Sequence, residues 1–234
     1  YLFQRMQRSG ILYRDAKRMV NINHTVYAGC MLAHNHADAV VTGLTRSSSE
    51  ILNDLRAALD PIPDHQPLGM MVMVTPKHTV FIADTSVNEE PNPQQLVDIT
   101  IQTAEAVRNF GKEPKVALLS FSTFGSPEHE RSNVVREAVK LLDERDIDFE
   151  YDGEMAADIA LNSNLMELYP FCRLSGPANV LIMPGINSAH ISSKVLQELG
   201  GGTVVGPLLV GLQKSAQIIP IGSTVSAIVN LAAI

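Results

Sequence analysis

Short apolar runs alternate with amphipathic stretches along this chain, and the alternation is clearest between Ala178 and Gly211. Val180-Leu181-Ile182-Met183 is too short for a helix and is stopped by Pro184-Gly185. An amphipathic segment then runs to Leu199, and Gly200-Gly201-Gly202 precedes the β-branched run Thr203-Val204-Val205. The expected reading is a strand, a crossover helix and a parallel strand, because brief apolar runs suit strands while a 3.6-residue period suits helices. In such α/β sheets ligands lie outside the carboxyl ends of the strands, so the loop from Pro184 to His190 is expected to wall a binding cleft.

The same patterns place the other elements. Leu12 to Val20 and Ala28 to Ala33 read as helices broken by the polar segment 21–25. Ala37 to Thr42 reads as a strand entering a Gly/Ser/Thr turn, with Ser49 expected to cap a helix from Glu50 to Leu59. Gly69–Val74 and Thr79–Ala83 form a predicted hairpin across Thr75-Pro76-Lys77-His78. A helix is expected from Gln94 to Phe110, stopped by Gly111. The strand Lys115–Phe121 then leads through Ser122-Thr123-Phe124-Gly125-Ser126-Pro127 to a helix from His129 to Glu144. Phe149–Gly153 reads as a strand, Met155–Leu161 and Leu165–Phe171 as short helices, and Ile218–Ile221 as a last strand. The tail helix Val225–Ala233 is apolar almost all round, so it is expected to be buried against another subunit or an absent neighbour.

Composition narrows the function. No apolar run approaches the roughly 20 residues of a membrane span. The net charge of -7 comes without any Lys/Arg cluster, which argues against a nucleic-acid surface. Anionic ligands must therefore be met locally. Two loops of hydroxyls and glycine suit that task, each at a predicted strand end ahead of a helix where backbone N–H groups welcome phosphate or carboxylate. They contribute Gly43, Thr45 and Arg46, and Ser122, Thr123 and Gly125. Asn187, His190 and Lys194, in and after the third loop, complete the candidate binding set, and each of these residues also has a plain reading as a cap, turn or solvent residue. His34-Asn35-His36 reads as a helix-end loop rather than a metal site, since no third ligand is close in sequence. Asp152 and Glu154 could serve as general acid and base, although a solvated turn is the favoured reading. Cys30 and Cys172 are isolated, which suits buried thiols in a reducing, cytoplasmic setting.

Several of these stretches together resemble a known family. They are Ala37 to Ser47, Leu119 to Ser126, Asp148 to Asp158, Tyr169 to Val180, Leu199 to Gly202, Gly206 to Leu212 and Val229 to Ala233. The chain resembles, over essentially its whole length, the phosphotransacetylase-like carboxy-terminal domain of bacterial hybrid NADP-dependent malic enzymes. The resemblance implies an α/β fold with two domains of the isocitrate/isopropylmalate dehydrogenase-like type, with mixed and parallel sheets and helices on both faces. It implies a second, dimerising subdomain at about 36–171, with 1–35 and 172–234 forming the remainder of a first subdomain whose amino-terminal part is missing. The helical pattern already under way at Leu2 and Met6 fits that expectation.

The resemblance also implies partners and cofactors: self-association as a homodimer or higher homo-oligomer, acetyl-CoA or a related acyl-CoA effector, and a malic enzyme catalytic domain in the same chain. NADP and Mg²⁺ or Mn²⁺ would belong to that domain, outside these residues. Phosphotransacetylases carry a Ser-Arg pair before the Gly of the tail turn and an Asp further along, which activate the coenzyme A thiol and hold the acyl phosphate. Those positions are Pro220, Ile221 and Ala227 here. A further family Arg falls at Asn53, with Arg56 one turn on, and another falls at Met6 or Arg5. Acyl transfer needs a base and a cation, so the expected function is regulatory, without catalytic residues. An active phosphate acetyltransferase using Ser223, Thr224 or Arg46 as substitutes is one alternative, and a purely structural oligomerisation domain is another.

Overall fold

The computed structural model describes residues 1–76 and 78–234. The first segment carries α1 (Leu2–Met6), α2 (Tyr13–Ile22), α3 (His24–Ala33), β1 (Ala39–Gly43) and α4 (Ser48–Ala58). The central segment carries β2 (Leu68–Val74), β3 (Thr79–Ala83), α5 (Pro93–Asn109), β4 (Lys115–Leu119), α6 (Glu130–Asp143) and β5 (Glu150–Met155). It continues with α7 (Ala157–Leu161), α8 (Ser163–Met166), β6 (Val180–Ile182), α9 (Ile186–Leu199) and β7 (Thr203–Val210). The tail adds β8 (Ser215–Ile219) and α10 (Val225–Ala232). No helix among the described residues is long and apolar enough to cross a membrane.

The chain divides into two compact units, Tyr1–Pro67 with Gly211–Ile234, and Leu68–Val210. The expected boundaries at 36 and 171 fall elsewhere, and strand pairing is the reason. β1 runs parallel to β8 from Ala39↔Ser215 to Gly43↔Ile219, which draws residues 36–67 toward the tail. β6 and β7 both enter the central sheet, which takes residues 172–210 the other way.

In the first unit Leu2, Ala16 and Val26 form a buried cluster under α1 to α3. The polar break expected at 21–25 narrows to Asn23, whose side-chain oxygen accepts from the N–H groups of Thr25 and Val26 and so caps α3. Ser47, and not Ser49, caps α4, because only Ser47 has a glutamate three residues on to close a capping box, Glu50. Arg5 ties α1 to the end of α4 through Asp60 at 2.7 Å and the Ala57 carbonyl at 2.9 Å. Within α10 Leu231 alone is buried, while Val225 and Val229 are exposed. Its contacts within the chain go chiefly to β8, so one side of a largely apolar helix stays uncovered.

The second unit is built on a six-stranded sheet in the order β5-β4-β6-β3-β2-β7. β5, β4, β6 and β3 run parallel, and β2 runs antiparallel to both its neighbours. The hairpin β2–β3 forms as expected, closed by the Thr75 N–H donating to the His78 carbonyl at 2.8 Å. Of its predicted turn, Lys77 lies outside the described residues. β7 has the expected direction relative to β6, yet it pairs with β2, because the hairpin occupies the places between them. α9 lays its small residues Ala189 and Ser193 inward and leaves Ile191, Val195 and Leu199 exposed.

Candidate functional site

Because β5, β4, β6 and β3 are parallel, their carboxyl ends share one edge of the second unit's sheet. The loop after β4 and the start of α9 both emerge there, where α/β folds gather ligand-binding groups. The hydroxyl-and-glycine loop is therefore in the position the sequence suggested, but its donors point inward.

The loop closes around a carboxylate of its own chain. Glu154, at the end of β5, is 1% exposed. Its Oε1 accepts from the Gly125 N–H at 2.8 Å and from the Ser122 hydroxyl at 3.1 Å. Arg136 on α6 donates Nε to Oε2 and Nη2 to Oε1, both at 3.1 Å. The Glu154 carbonyl takes the Phe124 N–H at 2.8 Å, and the Ser120 N–H goes to the Met155 carbonyl at 3.0 Å. Burial alone would raise the Glu154 carboxyl, but the bonds from Arg136, Gly125 and Ser122 together hold it below the usual carboxylate range. Arg136 is correspondingly raised, chiefly by its hydrogen bond to Glu154.

This corrects the reading of Ser122 and Gly125. Ser122 is fully buried, and its hydroxyl supports the loop from beneath. Gly125 adopts φ +95°, a left-handed conformation that glycine takes without a Cβ penalty, and its amide is committed to Glu154. The Thr123 hydroxyl oxygen accepts from the Ala156 N–H at 3.1 Å, joining the loop to the start of α7. A seat for an anion does exist here, and an internal carboxylate fills it.

Asp152 is no solvated turn residue either. It is buried and accepts from the Arg173 backbone N–H at 2.7 Å and from the Arg173 guanidinium. Arg173 also pairs with Asp143 and lies over the Tyr151 ring at 4.8 Å from its centroid. Burial, reinforced by the hydrogen bond to Asp143, pushes the Tyr151 phenol up to about 12. The carboxylates of Asp152 and Glu154 thus each have an arginine and act as anchors.

On α9, Asn187, His190 and Lys194 are exposed, and the Lys194 ammonium donates to Gln197 on the same helix at 3.1 Å. In the first unit, Gly43 has φ +142°, and a Cβ there would meet the Ile219 carbonyl oxygen at 2.2 Å, so glycine permits the close approach of β1 to β8. Thr45 is exposed. Arg46 pairs with Asp54 in the second turn of α4. At the end of α3, His34 and His36 stack at 5.8 Å, with Tyr1 edge-on to His34 at 4.9 Å.

Sequence reasoning missed Arg136 and the rings of Tyr169 and Phe171, which meet Phe124 beside the loop. Nothing local marks Arg136, whose partner Glu154 lies on another element. The aromatic spacing Tyr169-Pro170-Phe171 was a signal that could have pointed to the cluster.

The model of the family described as Phosphate acetyl/butaryl transferase matches residues 1–234. The chain belongs to that family. Among curated relatives of this phosphate acetyl/butaryl transferase family member, the NADP-dependent malic enzyme of Rhizobium meliloti is 53% identical over 234 residues, covering 100% of this chain and 31% of that protein. The phosphate acetyltransferase of Treponema pallidum is 32% identical over 244 residues, covering 99% of this chain and 72% of that protein. A crystal structure of a phosphotransacetylase from Streptococcus pyogenes superposes with a TM-score of 0.92 at 28% identity, covering 99% of this chain and 72% of that one. The chain thus spans about a third of the length of the malic enzyme it matches. In this family member Pro220 and Ile221 follow β8, Ile221 is exposed, and Ala227 lies in the first turn of α10.

Proposed function

We propose that this chain is a regulatory and oligomerisation domain of an NADP-dependent, decarboxylating malic enzyme, which converts malate to pyruvate and CO₂. In this reading the domain binds acetyl-CoA or a related acyl-CoA without transferring its acyl group, has the isocitrate dehydrogenase-like two-domain arrangement, and works in the cytoplasm as a homo-oligomer. The observation that carries it is 53% identity to an NADP-dependent malic enzyme across the entire chain. Among the described residues no group of three His, Cys, Asp or Glu side chains could hold a metal ion. Because the chain covers 31% of that malic enzyme, we assign Mg²⁺ or Mn²⁺, and NADP, to the remainder of such a protein. Regulation requires that the acyl-CoA bind one assembly state more tightly than another, since a ligand shifts an equilibrium only through differential affinity.

The side chains bear on the absence of turnover. Acyl transfer to phosphate needs a base for the thiol and a cation for the developing charge, and Pro220, Ile221 and Ala227 supply neither. The groups that could stand in for them, Ser223, Thr224 and Arg46, are already engaged. The Ser223 hydroxyl donates to the Pro220 carbonyl at 2.8 Å, the Thr224 hydroxyl oxygen caps α10 by accepting from Ala227, and Arg46 pairs with Asp54.

Titration calorimetry of the intact protein with acetyl-CoA, run beside an assay of acetyl phosphate with coenzyme A, tests both halves. Saturable binding with no turnover above the uncatalysed rate is expected. Absence of binding overturns the effector role, and turnover promotes an active acyltransferase in its place.

A further inference from the structure

A groove of about 280 Å³ opens in the second unit between α8 and the segment that leads into β6. One of its walls belongs to the amino ends of the strands, since Ser175 there bonds to Glu150 and Lys115, the first residues of β5 and β4. Met166, Pro170 and Leu174 supply apolar surface, and Ser163, Glu167 and Tyr169 place oxygens beside it. The Glu167 N–H donates to the Ser163 carbonyl at 3.1 Å, so the two side chains stand one helical turn apart on the same face.

Those oxygens are not used by the fold. Among the described residues, the side-chain oxygens of Ser163, Glu167 and Tyr169 make no hydrogen bond or ion pair. The charges nearby already balance one another. The Lys115 ammonium donates to the Ser175 hydroxyl at 2.6 Å and stands 4.0 Å from Glu150, and Arg173 is divided between Asp143 and Asp152. Among the described residues that line the groove, Glu167 alone carries a charge, and nothing in the lining offsets it.

A carboxylate, two hydroxyl oxygens and an apolar wall call for a cation carried on an apolar stem. The guanidinium of arginine fits best, because it is planar and weakly hydrated, offers five N–H donors and no acceptor, and matches a carboxylate with two prongs. The Tyr169 ring attracts the same group. The volume falls below the roughly 300–1,000 Å³ of pockets that hold whole small molecules, which leaves room for one side chain. Phe171, whose ring centre lies 6.1 Å from that of Tyr169, is 64% exposed, and Leu168 is 69% exposed. Two large apolar side chains next to the groove offer contact to residues flanking the arginine, which favours a polypeptide over a free solute.

We propose that this groove is a docking site for an arginine side chain presented by a partner polypeptide. The guanidinium meets Glu167 and the Ser163 hydroxyl, its stem lies against Met166, Pro170 and Leu174, and an apolar neighbour of the arginine covers Phe171. The chain's net charge of -7 draws a basic segment toward it. The inference stands apart from the acyl-CoA reading and survives its failure.

Binding is followed on the full chain through the methyl NMR signal of Met166, assigned with Met166→Leu. The probe is the acetylated, amidated tripeptide Leu-Arg-Leu, and its control carries citrulline at the centre, which keeps the shape and loses the charge. A saturable shift of the Met166 signal is expected with the arginine peptide. The citrulline peptide is expected to bind about tenfold more weakly, and Glu167→Gln to weaken the arginine peptide about tenfold, the scale of one charge-assisted hydrogen bond. Glu167 is exposed, so its substitution leaves the fold intact. Free arginine, which brings a carboxylate of Glu167's own sign and no apolar neighbour, is expected to bind more weakly than the tripeptide. An unmoved Met166 signal, equal binding of the two tripeptides, or unchanged affinity in Glu167→Gln overturns the site. Free arginine binding as tightly as the tripeptide overturns the polypeptide partner.

Discussion

Arg136 reaches across from α6 to Glu154 at the end of β5 with a two-pronged grip, Nε to Oε2 and Nη2 to Oε1, each at 3.1 Å. Removing the carboxylate strands the Gly125 amide and the buried Ser122 hydroxyl along with the guanidinium. Glu154→Ala is therefore expected to cost about 2 kcal/mol, and Glu154→Gln less, because an amide oxygen still accepts. Urea denaturation midpoints check the order.

The same pair sets an acid limit. The folded Glu154 carboxyl sits below its ordinary value, so its contribution to stability is complete above the unfolded carboxylate value of about 4.3 and is lost as pH falls below that through the folded value. Denaturation midpoints measured across that window should fall less steeply in Glu154→Gln than in the unsubstituted chain.

Tyr151 provides the alkaline counterpart. Its phenol is raised to about 12 by burial and by Asp143, so the neutral form is favoured in the fold, and that contribution holds below about pH 10 and fades as pH rises toward 12. A spectrophotometric titration should find one phenol ionising near 12. Asp143→Asn should lower that midpoint while burial keeps it above the ordinary value.

Asp84 is a buried carboxylate at the end of β3. Its Oδ1 accepts from the amides of Gly69, Ser86 and Val87, and its Oδ2 accepts from Asn88. Asp84→Ala leaves those donors without their acceptor and is expected to destabilise by about 3 kcal/mol, read as a drop in melting temperature.

In the first unit Asp54 holds the guanidinium of Arg46. If Arg46 serves the proposed effector, Asp54→Asn should tighten acetyl-CoA binding a few-fold, the scale of a partly exposed ion pair, and Arg46→Ala should weaken it. Calorimetry on the two variants should move in opposite directions.

Local signals were sufficient for much of the fold. The hairpin of β2 and β3 followed from two apolar runs around a turn, and α5 from its period and the Gly111 stop, with Asn92 and Gln95 adding a capping box. The α4 cap was misplaced by two residues because three serines stand in a row, and only Glu50 decides among them. The unit boundaries were not legible, since they depend on β1 meeting β8 and on β7 choosing β2, pairings between distant residues that no window contains. For the same reason the acidic stretch at Asp152 and Glu154 read as solvated: their arginines, Arg173 and Arg136, arrive from elsewhere in the sequence.

The pairing of Ala39 with Ser215 also imposes a timetable on synthesis. The second unit is a single uninterrupted segment and can collapse while translation continues, whereas β1 must wait on the ribosome until β8 emerges. A nascent chain with Val210 clear of the ribosome and Ser215 still to emerge therefore carries a finished central sheet and an orphaned strand, the condition in which a chaperone has most to hold.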